Sequence, residues 1–343
     1  MEQRPSVVLY GHRRMGKSSI LQNLGRYRFG ADTLVADCNM QRVGRVAHTG
    51  ELLYDIAVAL WQATSPIQPL SSPWPAPGLD DFNQSWYASF NRFIRELDAH
   101  RHGRRMILTI DEFEIIEQLI DDGLVERQLL SYLRGLMQTE HWLILALAGL
   151  HTLKEMASDY FEPLYASVVP VQVSFLSEAT LRQVITNPAD DFPLDYAPDA
   201  LDLIYRLTHG QPYLAQLIGH NLVHAFNVER FERNAQRDPR FTTADVEAVV
   251  TLPDFYEQGS YYFRGLWSQA EQSSPAYQTD VLRVLAPYIE GLTVAELHRE
   301  TLLEESHVHG ALATLARHDV VEQDGEMWQY RVELMRRWVM HSM

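Results

Sequence analysis

Apolar and polar positions change period along the chain, and the change divides it into two halves. Val7-Val8-Leu9-Tyr10 is a short apolar run stopped by glycine, and Met15 to Arg26 follows with helical spacing at Ile20, Leu21 and Leu24. Thr33 to Asp37 predicts a second strand and Leu52 to Ala63 a helix. The segment 65–78 carries five prolines and predicts a loop. Trp86 to Arg101 predicts a helix, Arg105 to Ile110 a buried strand, Leu124 to Thr139 a helix, and Trp142 to Ala148 and Val168 to Phe175 two further strands. Continuous apolar strands separated by helices predict a parallel sheet covered on both faces, an α/β class.

After Ser177 strands stop and helical spacing takes over, at Glu178–Thr186, Pro198–Thr208, Gln211–Asn227 and Thr243–Val250. Residues 253–277 are less regular and rich in aromatic residues, which predicts packing rather than a cofactor site. Three helical stretches (Thr279–Ile289, Val294–Thr301, Glu305–His318) then precede two short β-like runs joined by Asp324-Gly325, a hairpin turn. Three helices and a hairpin make a winged-helix pattern. The expected organisation is 1–176, an α/β domain; 177–252, an all-helical domain; 253–277, a connector; and 278–343, the winged helix.

Composition narrows the class. A chain of 343 residues with 46% hydrophobic and 22% charged residues is ordinary for a globular protein of two or three domains. No run of about 18 apolar residues is present, the amino terminus does not read as a signal peptide, and Cys38 is the only cysteine. The expectation is a cytoplasmic protein with no disulfide and no membrane association. The net charge of −16 opposes phosphate backbones, and residues 278–343 hold six basic against eleven acidic side chains. The third helical stretch of the winged helix has one basic residue, Arg317. Nucleic acid is therefore not the expected partner, and a protein-facing winged helix is.

Two motifs carry the chemistry. Gly11-His12-Arg13-Arg14-Met15-Gly16-Lys17-Ser18 fits the phosphate-loop pattern G-x-x-x-x-G-K-[ST], between an apolar strand and an amphipathic helix as the motif requires. Glycines allow close backbone approach, and the amides of residues 13–18 would point at phosphate oxygens beside a helix N-terminus. Lys17, one of only two lysines in the chain, would reach the β- and γ-phosphates, and the Ser18 hydroxyl would ligate Mg²⁺. Met106 to Ile110 is an apolar run ending in Asp111-Glu112. Asp111 is the expected Mg²⁺ ligand and Glu112 the group that orients or deprotonates the attacking water. Glu114 and Glu117 read equally as helix-capping acids. The lack of an Asn-Lys-x-Asp sequence favours ATP over GTP. His220 and His224 lie four apart but lack the further ligands of a zinc site, and His307 and His309 read as surface residues.

On the loop Gly11–Ser19 with its paired arginines, Ile110–Glu114, Leu143–Gly149 and the stretch Thr208 to Gln216, the chain resembles STAND-type and archaeal-ATPase-type P-loop NTPases, relatives of the AAA+ and origin-recognition ATPases. The resemblance implies a P-loop NTPase sheet, a helical lid and a winged helix. It implies ATP and ADP as ligands with Mg²⁺, contacts from Gly11, Arg13, Arg14, Met15, Gly16, Lys17, Ser18 and Ser19, and Pro212 beside the adenine. Gly210-Gln211-Pro212 also reads as plain helix punctuation, glycine ending one helix and proline opening the next. Function by this resemblance is a slow switch in which ADP-to-ATP exchange opens a clamp and permits self-association or contact with a protein partner. Three departures stand out. Residues 155–181 contain no arginine or lysine for an arginine finger, which predicts slow hydrolysis. The stretch Gln211–Phe226 has no arginine for a second sensor. Tyr330-Arg331-Val332-Glu333-Leu334 lies where relatives carry Met-His-Asp but lacks the histidine. His151 or Thr152 is the expected first sensor. The chain begins close to its first strand, so the expectation is a piece of a larger multidomain chain or a minimal member acting with a separate partner. The competing readings are a DNA-associated ATPase of the origin-recognition or transposition-helper kind and a nucleotide-binding scaffold without turnover.

Overall fold

The structure is a computed structural model that describes residues 5–27, 30–68, 74–149, 167–189 and 191–342. The chain forms two compact units, Met1–Val173 and Ser174–Met343.

The first unit is built on five parallel strands: β1 (Ser6–Tyr10), β2 (Thr33–Asn39), β3 (Arg105–Asp111), β4 (Leu143–Ala148) and β5 (Val168–Gln172). They lie in the order β2-β3-β4-β1-β5, so β4 separates β1 from β3. The two-residue period of a strand sorts side chains onto opposite faces. Along β4, Leu143, Leu145 and Leu147 enter one core, and Ile144, Ala146 and Ala148 enter the other. The larger core takes Leu52, Leu53, Ile56 and Leu60 from α2 (Thr49–Thr64) and Phe90, Phe93 and Leu97 from α4 (Trp86–His100). Leu129, Leu130 and Leu133 join it from α6 (Gln128–Thr139). The smaller core packs Leu21 of α1 (Lys17–Tyr27) against Leu9 and Ile107. Two covered faces explain why β3 and β4 read as unbroken apolar runs. β5 is the exposed edge strand, and its Pro170 is tolerated there because an edge needs no second set of ladder bonds.

The expected helix Leu124–Thr139 is shorter than its pattern. It begins at Gln128, and a separate helix, α5 (Glu114–Asp121), precedes it. Gly123, at φ +71°, ends α5 and turns the chain, so the apolar residues Leu124 and Val125 lie in the connection. A short helix, α3 (Leu79–Gln84), also lies beyond the proline-rich loop.

The second unit has one continuous apolar core running from Leu181 to Val339. Helices Glu178–Thr186, Pro198–Thr208, Pro212–Asn227 and Thr243–Val250 lie where their periodicity places them. Strands do not stop at Ser177: Asp195–Tyr196 and Arg240–Phe241 pair in parallel, too short to leave a periodic signal. The segment 253–277 is more regular than its sequence suggests. It holds helices Pro253–Gln258 and Ser260–Gln272, separated by Gly259, with Phe255, Tyr262 and Phe263 buried in the core. Tyr256 and Trp267 pack against that core, while Tyr261 is exposed, so the packing expected of these aromatic residues holds for all but the outward-facing ones. The winged-helix pattern holds as well. Helices Gln278–Leu285, Val294–Thr301 and Glu305–Arg317 precede an antiparallel hairpin of Val321–Asp324 and Met327–Tyr330. Leu292 and Trp328 exchange backbone hydrogen bonds of 2.9 and 2.8 Å beside the hairpin. A further helix, Glu333–Ser342, closes the chain.

Candidate nucleotide site

Parallel strands bring all their C-terminal ends to one edge of the sheet, which is where ligands sit in open α/β sheets. The phosphate loop leaves β1 there. Gly11 adopts φ +142°, and a Cβ on it would lie 2.2 Å from the Val173 carbonyl oxygen, so only glycine fits. Gly16 adopts φ +96° and Arg14 φ +65°. Left-handed residues interspersed among right-handed ones are the backbone pattern that forms an anion-binding nest. Met15 is buried and anchors the loop, Arg13 and Arg14 are exposed, and Ser18 is half-buried in the first turn of α1. That turn has no acidic residue to compete for an anion, and the helix ladder starts only with Ile20 N–H donating to Gly16 O at 3.0 Å.

The Lys17 ammonium donates to Gly11 O at 2.6 Å and His12 O at 2.9 Å, held by the loop it follows. Burial pushes its pKa below the ordinary lysine value, and Glu114, Glu112 and Asp111 pull it back up, in that order of strength. Three carboxylates from the end of β3 therefore act on the lysine of a loop that starts two strands away, with β4 between.

Asp111 is buried at the end of β3. Its Oδ1 accepts the Glu112 N–H at 3.1 Å, and its Oδ2 faces the Asn39 amide at 3.5 Å. Its carbonyl accepts Met40 N–H at 3.1 Å. Asn39 is its register partner on β2. Glu112 follows in the left-handed region at φ +57°, a conformation that costs a non-glycine residue energy and persists where the surroundings enforce it. Phe113 N–H to Ala148 O (2.8 Å) and Gly149 N–H to Leu9 O (3.1 Å) tie the ends of β3, β4 and β1 together. Glu114 Oε2 lies so close to Gly149 that a Cβ there would sit 3.2 Å from it.

The donor set fits Mg²⁺. One carboxylate and one hydroxyl, Asp111 and Ser18, are hard oxygen donors, too few to cage a cation alone but suited to an ion that keeps waters and shares phosphate oxygens. Among the described residues no group of three His, Cys, Asp or Glu side chains could hold a metal without such help. His220, His224, His307 and His309 are exposed.

The loop and Asp111-Glu112 lie at the strand ends where their motifs place them, Glu114 lies in the first turn of α5 as the helix-capping alternative expects, and Asn39 was passed over. Asn39 carries no motif, and only strand pairing reveals it. His151 and Thr152, the expected first sensors, lie outside the described residues, as do residues 155–166 of the stretch 155–181. Pro212 is in the second unit, at the first position of its helix. Gly210, at φ +77°, would place a Cβ 2.1 Å from Leu176 O, and the buried Gln211 side chain accepts Leu214 N–H at 2.8 Å. The punctuation reading of this triplet is correct, whatever else Pro212 does.

In the same unit, polar side chains distant in sequence meet at the residue before that triplet. His209 faces Glu322 of the hairpin at 3.8 Å. Arg331 pairs with Asp319, lies 3.7 Å from Glu322, and stacks its guanidinium 4.4 Å above the Phe175 ring. Phe175 in turn meets His209 edge to face at 5.6 Å. Burial lowers the His209 pKa below its ordinary value, with Arg331 adding to the effect and Glu322 and Asp319 opposing it. Arg337 ties the last helix to Glu247 at 2.9 Å and to Glu333 at 3.0 Å.

The IclR helix-turn-helix domain family matches residues 279–325. No curated protein matches the chain. Among solved structures, a Walker-type ATPase of Pyrococcus abyssi is similar over 98% of this chain and 91% of its own, at 18% identity and a TM-score of 0.63. The RuvB Holliday junction branch migration motor of Thermotoga maritima (12% identity, TM-score 0.46, 96% and 85% covered) is also matched. So is the ORC1 protein of Aeropyrum pernix in complex with DNA (15% identity, TM-score 0.45, 99% and 87% covered). The last two superpose too loosely to bear on this chain. No described helix is long and apolar enough to cross a membrane. The chain has the fold of a Walker-type ATPase, with a helix-turn-helix of the IclR kind and its hairpin in the C-terminal unit.

Proposed function

We propose that the chain binds ATP and ADP with Mg²⁺ and hydrolyses ATP slowly, as a switch whose nucleotide state governs contact with itself or a protein partner. The observation that carries this reading is the convergence on Lys17: a phosphate loop whose lysine is held by its own carbonyls and lies within the field of Asp111, Glu112 and Glu114. Loop amides from residues 13–18 would bind the β- and γ-phosphates, and Lys17 would turn from Gly11 O and His12 O onto their oxygens. Phosphate charge would offset the desolvation that lowers its pKa. Ser18 and Asp111 would hold Mg²⁺, which when bound neutralises charge on the phosphates. Glu112 would orient the attacking water and accept its proton. Arg13, Arg14 and Ser19 would flank the phosphates, and Pro212 would lie beside the adenine.

The network joining His209, Phe175, Glu322 and Arg331 supports the switch. It couples the loop before Pro212 to the winged hairpin, and Arg331 stands in the segment where relatives carry Met-His-Asp. Lys17→Ala should weaken adenine-nucleotide binding roughly 100-fold, about 2.7 kcal/mol, by calorimetric titration. Unchanged affinity would end this reading. Glu112→Gln should keep nucleotide affinity while turnover falls, which separates a slow hydrolase from a scaffold without turnover.

The helix-turn-helix match favours a second reading, a DNA-associated ATPase. Against it stands the local charge of residues 278–343, six basic against eleven acidic. Duplex binding that weakens steeply with salt would support that reading over a protein-facing winged helix.

A further inference from the structure

We propose that a groove on the first unit, between α4 and α6, is a docking site for an arginine side chain in an extended segment of a partner protein. This is independent of the nucleotide reading.

The groove is an open surface depression of about 740 Å³. Trp86, Tyr87 and Tyr132 line it. Their ring centres lie 5.7 Å (Trp86–Tyr87), 5.5 Å (Trp86–Tyr132) and 5.4 Å (Tyr87–Tyr132) apart, with planes at 82°, 82° and 71°. The three rings therefore meet edge to face rather than stacked. Tyr87 is 58% exposed, unusual for so large a ring.

Among the described residues, Glu126 is the one charged residue lining the groove. Its carboxylate is fixed by the Trp86 indole N–H at 2.8 Å, and its main-chain N–H is fixed by the Thr49 hydroxyl at 2.8 Å. The Tyr132 hydroxyl is likewise fixed, donating to Asn91 Oδ1 at 3.1 Å. The walls are therefore set before a ligand arrives, which limits the ordering cost of binding.

This chemistry selects a cation. Electron-rich ring faces and a carboxylate attract positive charge and repel phosphate, and among the described residues no lysine, arginine or histidine lines the groove to offset that. A net charge of −16 draws basic partners from a distance. A guanidinium fits better than an ammonium: it is planar, weakly hydrated, stacks on aromatic faces and pairs with carboxylate through two donors. The source is a polypeptide because the groove continues along α6. Ser131, Gly135 and Thr139 succeed one another at four-residue spacing, a strip of small side chains about 12 Å long. A Cβ on Gly135 would meet nothing within 4 Å, so main chain can lie against it.

The test is calorimetric titration of the full chain with a nine-residue peptide carrying one arginine among glycine and serine. Matched peptides carry lysine or citrulline at that position, and free N-acetylarginine amide is the fourth ligand. The arginine peptide should saturate, the lysine peptide should bind at least several-fold more weakly, and citrulline and the free amino-acid derivative should bind at least tenfold more weakly. Tyr87→Ala and Glu126→Gln should each weaken the arginine peptide at least tenfold without changing the thermal midpoint or nucleotide binding. Tyr87→Ala leaves the net charge untouched, so it separates the site from general attraction to an acidic chain. Absent saturation, citrulline binding equal to arginine, or indifference to Tyr87→Ala would overturn the proposal. Equal binding of free N-acetylarginine amide would overturn its polypeptide source.

Discussion

The two units spend sequence differently. In the first, the groups of the candidate site leave the end of a strand or the turn after it: Gly11 to Ser18 after β1, Asp111 and Glu112 at the end of β3, with Asn39 beside them at the end of β2. In the second, the polar contacts join residues far apart in the chain, His209 with Glu322 and Arg337 with Glu247, across one shared core. A parallel sheet needs only short local motifs because its geometry gathers strand ends by itself. A helical unit has no such edge, so its couplings are made pair by pair through packing.

That contrast can be broken most sharply at Gly11. Gly11→Ala forces a Cβ to within 2.2 Å of the Val173 carbonyl at a φ that alanine avoids. The expected cost is roughly 3 kcal/mol or more, with loss of nucleotide binding, read by thermal unfolding and titration. Normal stability would mean that the loop is not locked to β5. A comparable loss should follow from Phe263→Ala in the second unit. This ring is fully buried and stacks on Trp338 at 5.9 Å, and its truncation should cost about 3–5 kcal/mol. If the core is shared, circular dichroism and tryptophan fluorescence should report one lowered transition for the second unit. A connector melting apart from the winged helix would contradict the single core.

Asp111→Asn sharpens the first half of the comparison. It keeps the shape and the Glu112 amide contact but removes a charge. Turnover in Mg²⁺ should fall ~100-fold or more, about 2.7 kcal/mol, with a smaller effect on stability. The smallest effect is expected at His209. Its folded pKa lies below the unfolded value, so the unfolded chain binds more protons as the pH falls below ~6.5. Acidification through that value should lower the stability of the second unit, and the loss should level off below the folded pKa. His209→Asn should remove this step, because asparagine tolerates the left-handed backbone at φ +50° without titrating. A pH profile of the thermal midpoint that is identical in the two proteins would exclude His209 as its source.

Legibility follows the same division. The loop, Asp111 and Glu112 were readable because each is a contiguous string in a fixed strand–turn context. Glu114 sits in the first turn of α5 as the helix-capping alternative expects, but nothing in Glu114-Ile115-Ile116 tells that its carboxylate approaches Gly149. The connector 253–277 looked irregular because prolines, glycine and clustered aromatic residues hid two short helices, whose buried faces appear only against the core. The contact of Arg331 with Phe175 and Asp319 had no signal at all.

The sequence by itself determined the α/β order, the phosphate loop, the acidic strand end and the winged-helix pattern, because each depends on periodicity or on residues within a few positions of one another. Tertiary structure alone decided that Asn39 stands beside Asp111, that three carboxylates act on Lys17, and that Trp86, Tyr87 and Tyr132 meet Glu126 in one groove. Those arrangements depend on strand order and on helix packing, which bring side chains tens of residues apart together and leave no periodic trace along the chain.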